Sequence, residues 1–247
     1  MLFRSELAKY NVLPHHISKV LQSFPPGLDK LYQRMIDQIL HSRDEGTCKA
    51  ILAVVTTAFE PLSLAELASS DDRLACFQSD LQTLSSIVTC CGSFLTLRNN
   101  IVYTVHQSVR DYLISSSDIF PSSVSAQHYS IFQSTLQRLQ ETLHRNMYSA
   151  PDDTLYIHEI SKPPSTVMDS IRYGCIYWVE HLSKSPSHAI GSHSTCLLVE
   201  TFLKTRYLYW LEAMSLLDCV SAAIRAIRRL GSNSVCTVQY FLFHVFP

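Results

Sequence analysis

His106 is the residue best placed to do chemistry in this 247-residue chain. It follows residues 101–105, IVYTV, a β-branched and aromatic run that reads as a strand. It precedes a helix whose apolar side is Val109, Tyr112 and Leu113. A backbone fixed on both sides aims the ring. Neutral imidazole donates one hydrogen bond, and the imidazolium can pair with a phosphate. The same spacing also serves a histidine packed between strand and helix and bonded to a backbone carbonyl, and spacing alone favours that quieter role.

The other reactive residue types are poorly arranged. His188, His193 and Cys196 are metal-ligand types close together, but the two histidines sit in the polar stretch KSPSHAIGSHS with Cys196 just beyond it and no fourth ligand, so no metal centre is expected. His15-His16 reads the same way. Cys90-Cys91 reads as a buried helix end, because a vicinal disulfide is strained. There is no G-x-S-x-G elbow for a nucleophilic serine. No G-x-x-x-x-G-K-[ST] occurs, and no glycine is followed by lysine. Without that loop there is no cradle of backbone N–H groups for phosphates. No hydrophobic strand ends in paired acidic residues that would supply a magnesium ligand. The expectation is a protein that is not an enzyme, with no catalytic residue, cofactor or metal of its own.

The elements that must position His106 come next. Phe94, Leu95 and Leu97 lead into Asn99-Asn100, a dipeptide that tolerates the positive φ of a tight turn, so residues 93–105 read as a hairpin. Upstream, residues 28–40 have Leu28, Leu31, Tyr32, Met35, Ile36 and Ile39 at helical spacing. A helix over 48–59 with Thr47 as its cap follows. Ser63 with Glu66 then forms a capping box, and one longer helix is read over 74–90. Downstream, helices are read over 127–148, 167–182, 197–213 and 216–230, with loops at 150–165 and 184–194. Residues 5–21 suggest a short helix or two, and 238–247 an apolar tail too short to span a bilayer. The fold expected is mainly α: a helical lead-in over 1–46, a winged helix with one β-hairpin over 47–117, and a helical region over 118–247. The aromatic residues Tyr173, Tyr177, Trp178, Tyr207, Tyr209 and Trp210 read as core between packed helices. Arg225, Arg228 and Arg229 suit the C-terminal dipole of the last helix.

Bulk properties narrow the class further. Apolar residues make up 47% and charged residues 17%, which excludes a disordered chain. A net charge of −1 gives no general pull toward nucleic acid or an anionic membrane. Six glycines are few for a catalytic α/β fold with phosphate loops. The eight cysteines show no C-x-x-C spacing, a pattern of reduced thiols. With no signal-like N-terminus and no long apolar run, a soluble cytoplasmic protein is expected.

Several segments, in order, resemble one family. LPHHISKVLQSFPPGLDKLYQRMIDQI is similar to the end of the nucleotide-binding module of fungal NACHT-type signalling ATPases. These are NLR-like switch proteins of the STAND class that include the heterokaryon (vegetative) incompatibility group. ILAVVTTAFEPLSLAELA, CGSFLTLRNNIVYTVHQSVRDYL, IRYGCIYWVEHL and FLKTRYLYWLEAMSLL resemble the segments that follow. The resemblance implies the part of a switch ATPase that comes after its phosphate loop. Its winged helix carries a Met-His-Asp motif whose histidine reaches the β-phosphate of bound ADP. Here the matching residues are Val105-His106-Gln107, so the histidine is kept and the aspartate is replaced. His106 is therefore the expected nucleotide sensor, acting only together with an ATPase core. ADP or ATP is implied only for a full-length relative.

The partners implied are proteins: a NACHT-type core or other family members, with no membrane. A stand-alone adaptor would dock through an apolar patch within 13–40, with Leu31 and Met35 as its contact residues. A nucleic-acid-binding winged helix is the competing reading from topology. Residues 74–90 carry no Lys or Arg, and Asp80 lies among them, so several phosphate contacts cannot be made there.

Overall fold

The computed structural model describes residues 28–149 and 167–232. The expected helices over 5–21, the His15-His16 pair, the 150–165 loop and the apolar tail lie outside the described residues. The described chain is mainly α with one small antiparallel sheet. Its elements are α1 (Leu28–Leu40), α2 (Glu45–Thr57), β1 (Leu62–Ser63), α3 (Leu64–Ser69), a 3-10 turn (Asp72–Phe77), α4 (Leu81–Cys90), β2 (Leu95–Arg98), β3 (Ile101–Thr104) and α5 (Gln107–Ser115). Then come α6 (Val124–Thr142), α7 (Val167–Lys184), the short α8 (Ser187–Ile190), α9 (His193–Leu216) and α10 (Val220–Ser232). None of the described helices is long and apolar enough to cross a membrane.

The hairpin forms where the sequence placed it. Asn99 and Asn100 adopt φ of 51° and 61°, the left-handed pair that matches the twist of the flanking strands. The register pairs Arg98 with Ile101 and Leu97 with Val102. A third strand was not expected. Leu62 and Ser63 add to the other side of β3, opposite Val102 and Ile101. Two residues are too few to show an alternating pattern. The capping box is present as read: the Ser63 N–H donates to Glu66 Oε2 at 2.8 Å, and the Glu66 N–H donates to Ser63 Oγ at 3.2 Å.

Three local expectations are corrected. The single helix over 74–90 is broken. The Asp71 carboxylate caps the 3-10 turn by accepting from the Arg73 N–H at 3.0 Å, and Asp80 starts α4 by accepting from the Thr83 N–H at 3.0 Å. The apolar spacing runs on across the break, which hid it. Thr47 is not a cap, since α2 begins two residues earlier at Glu45 and Thr47 lies inside it. The polar stretch 184–194 is not all loop. Pro186 leads into α8, and Ser192 caps α9 by accepting from the Thr195 N–H at 3.3 Å.

Two cores hold the molecule. One joins α1 to α5 and the sheet, centred on Ile36, Ile51, Leu67, Phe94 and Val102. The other packs α6, α7, α9 and α10 around Trp178, Trp210 and Phe202. Trp178 meets Trp210 edge-on at 6.1 Å and Phe202 at 5.3 Å. Of the aromatic residues on α7 and α9, Tyr173, Trp178, Tyr207 and Trp210 are buried in the cores as read, and Tyr177 and Tyr209 are half-buried against them. Ile131 of α6 and Tyr173 of α7 belong to the first core, so those two helices tie the helix–sheet half to the helical half.

Candidate functional site

His106 closes the strand and opens the helix. Its extended backbone (φ −155°, ψ 154°) makes it the N-cap of α5, and its own ring supplies the cap. The Ser108 N–H donates to Nδ1 at 3.2 Å, and Ser108 Oγ lies 2.8 Å from the same nitrogen. A backbone N–H can only donate, so Nδ1 is the acceptor and the ring proton sits on Nε2. The chain continues to α1, where Tyr32 Oη lies 2.7 Å from Ser108 Oγ. With the Tyr32 hydroxyl donating to Ser108 and the Ser108 hydroxyl donating to His106, every group is satisfied in one direction. His106 is exposed, and its Nε2–H has no partner among the described residues.

The neighbouring Gln107 does not stand in for an aspartate here. Its amide donates along its own helix to Asp111 Oδ1 at 2.9 Å, leaving the cap to the histidine. One turn on, Arg110 donates to the Ala58 carbonyl at 3.1 Å. Its side chain forms one wall of a cleft of about 170 Å³ floored by Val55, Ala58 and Val102.

Leu31 and Met35 do not form a free surface. Met35 is 7% exposed and lies in the first core, and Leu31 packs against the same core. The helix that the sequence offered as a docking patch is spent on holding α5 and the hairpin, with the Tyr32 ring 5.0 Å from Tyr112 and 6.1 Å from Phe94. His188 and His193 are exposed on α8 and at the start of α9, and Cys196 is half-buried one turn along. Among the described residues, no group of three or more His, Cys, Asp or Glu could hold a metal. Cys91 is buried whereas Cys90 is exposed, and both thiols are free. Arg229 pairs with Glu180 of α7.

A second polar cluster, unread in the sequence, lies where the halves meet. Arg172 on α7 donates to Glu60 Oε1 at 2.5 Å and reaches Glu66 at 3.5 Å, while the Tyr177 hydroxyl donates to Glu60 Oε2 at 3.1 Å. Beside it, the 2%-exposed Asp71 takes two hydrogen bonds from the Arg73 guanidinium, at 2.9 and 2.7 Å, and one from Gln127 of α6 at 3.0 Å. Burial pushes the Asp71 carboxyl up, but the Arg73 hydrogen bonds and charge, with the Gln127 amide, outweigh it and hold it below the usual range.

At the centre of this junction are two histidines. His181 Nδ1 lies 2.9 Å from His128 Nδ1, and His181 Nε2 lies 2.7 Å from Tyr173 Oη, which accepts from the Phe59 N–H at 3.2 Å. One proton arrangement is consistent with all three contacts. Tyr173 donates to His181 Nε2, His181 Nδ1–H donates to His128 Nδ1, and His128 carries its proton on Nε2. Both rings are neutral. Burial pushes His128 down to about 4, with Lys184 and Arg110 adding to the shift, and burial followed by His128 pushes His181 down well below the ordinary value. Phe59 covers the cluster, its ring 4.8 Å from His181 and 5.7 Å from His128. The available signal was Tyr173, Tyr177 and His181, a polar-tipped stripe at four-residue spacing on a helix otherwise buried.

The chain is 38% identical over 244 residues to the vegetative incompatibility protein HET-E-1 of Podospora anserina. That alignment takes in 92% of this chain and 18% of the relative, so the chain spans less than a fifth of the protein it matches. No family model and no solved structure matches. The chain is thus similar, along nearly its whole length, to one segment of a fungal incompatibility protein.

Proposed function

We propose that this chain is the non-catalytic relay of a nonself-recognition switch: a winged helix and helical region that pack on a nucleotide-binding NACHT-type core and report its nucleotide state. The observation that carries the reading is the His106 cap. Nδ1 is held by Ser108, so the exposed Nε2–H is a fixed, outward donor of the kind that meets a phosphate oxygen at no cost in ring orientation. The similarity to an incompatibility protein supports the setting, and the lack of a G-x-x-x-x-G-K-[ST] loop supports a role without ATP hydrolysis. Partners on this reading are a phosphate-loop core or a related protein carrying one, in the cytoplasm, and ADP is bound only in that complex.

Calorimetric titration with ADP tests the reading in two arms. The chain alone takes up no ADP at micromolar concentration. Added to a phosphate-loop core from an incompatibility-like relative, it raises the ADP affinity of that core about tenfold, the worth of one charge-assisted hydrogen bond. His106→Ala removes the gain. Micromolar binding by the chain alone, or a gain untouched by His106→Ala, would overturn the proposal.

A further inference from the structure

The free edge of the sheet carries an inference that does not depend on the nucleotide reading. The strand order β1-β3-β2 leaves β2 at the edge, paired only with β3 among the described residues. Across a two-residue turn, Arg98 and Ile101 exchange hydrogen bonds, and by alternation so do Thr96 with Tyr103 and Phe94 with Val105. The last of these is seen in the Val105 N–H donating to the Phe94 carbonyl at 2.9 Å. Leu95 and Leu97 are therefore the residues whose backbone groups turn outward. The Leu95 N–H is taken by the Cys91 carbonyl at 3.0 Å. That leaves the Leu95 carbonyl and both polar groups of Leu97 facing out without a described partner.

These groups do not open onto a flat surface. They border an open groove of about 380 Å³, walled by Val88 and Thr89 at the end of α4 on one side and by β2 on the other, with Val105 at its far end 53% exposed. Arg98, at the hairpin tip, is exposed and makes no ion pair among the described residues. No carboxylate lines the groove. An unpaired backbone ladder calls for another extended backbone, and the lone guanidinium sets its charge.

We propose that the β2 edge is a strand-addition site for an extended segment of a partner protein in which an acidic residue is followed directly by an apolar one. In antiparallel addition the residue opposite Leu97 exchanges both backbone bonds with it and turns its side chain over Val88 and Thr89. The preceding residue lies opposite Arg98, where a carboxylate forms a cross-strand ion pair. A second copy of this chain is a poor occupant. Two β2 edges centred on Leu97 would set Arg98 against Thr96 and bring two guanidinium groups to one face with no carboxylate between them.

The test uses the 247-residue chain and a fluorescein-labelled peptide, Thr-Val-Thr-Glu-Val-Thr-Val, read by anisotropy. Saturable micromolar binding is expected. Changing the peptide Glu to Lys, or Arg98→Glu in the protein, weakens it fivefold or more, and combining the two changes restores it to within twofold. Arg98 is exposed beside the turn, so its reversal leaves the core untouched. N-methylation of the Val after Glu abolishes binding, whereas N-methylation of the following Thr, whose N–H points away from β2, changes it less than twofold. Absence of saturable binding at millimolar peptide overturns the proposal. So does indifference to both charge swaps, or an equal response to the two N-methyl positions.

Discussion

Two histidine sites in this chain start from the same ring and hold it in opposite ways. His106 is exposed, with one nitrogen tied to its own helix and the other left outward. His181 is buried at 1% exposure, with both nitrogens tied across the meeting of the two halves. Each ring is oriented by neighbouring hydrogen bonds, through Ser108 and Tyr32 in one case and through Tyr173 and His128 in the other. The difference lies in what remains free. A ring with a free donor can meet a ligand, whereas a ring with none is scaffold, and its neutrality is enforced by burial. The junction thus fixes the halves together, and the cap presents a group to whatever lies outside.

The comparison breaks most visibly at Tyr173, which is core and network at once. Tyr173→Ala empties a fully packed site and leaves the Phe59 N–H and His181 Nε2 without partners. The expected loss of unfolding free energy is about 3–5 kcal/mol. Tyr173→Phe keeps the ring and deletes only the hydroxyl, for about 1–2 kcal/mol. Urea melts of both variants separate the packing share from the hydrogen-bond share. Equal losses would mean that the polar network contributes nothing at this position.

The buried pair also predicts a pH slope. His128 is neutral in the folded chain, pushed down to about 4, and titrates near its ordinary value of about 6.5 when unfolded. Below about pH 6.5 the unfolded chain therefore binds the extra proton. The stability this site gives is complete above that pH and is lost as pH falls toward 4. Allowing for the edge of His128 that faces water, the loss between pH 7 and pH 5 is roughly 1–2 kcal/mol. Asp71 does not confuse the result, because its carboxyl is held below the usual range and its contribution fades only in stronger acid. Measured by urea unfolding at the two pH values, the slope should shrink in His128→Gln. A slope unchanged by that substitution would place the titration elsewhere.

Much of the His106 site was legible in the sequence, and almost none of the junction was. Asn99-Asn100 announces its turn through backbone preference, and the Ser63–Glu66 box is a local rule, so both survived into the structure unchanged. The break at Asp80 was hidden because Leu74, Phe77, Leu81, Leu84 and Val88 keep helical spacing across it, and periodicity reports the buried face before it reports continuity. Leu31 and Met35 were read correctly as an apolar stripe but assigned to an outside partner. In the structure they pack into the first core beside α2 and α5, which no local pattern names. The Glu60–Arg172, Asp71–Gln127 and Phe59–Tyr173 bonds join residues separated by 112, 56 and 114 positions. Neither half of such a pair carries a local signal that names the other.

The smallest expected effect is the most diagnostic for the cap. His106→Ala removes the acceptor that holds the Ser108 N–H, and loss of a cap costs about 1 kcal/mol. His106→Asn supplies a side-chain carbonyl at the same place and recovers most of that loss, but it cannot offer the ring's Nε2–H. Tyr32→Phe leaves the cap in place and takes away only the donor to Ser108, for under about 1 kcal/mol. The asparagine variant thus separates the two jobs of this residue. If its stability returns while the gain in ADP affinity supplied to a nucleotide-binding core does not, His106 is both a helix cap and a phosphate donor. If both return together, the ring serves only to start α5, and the outward N–H has no part in reading the nucleotide.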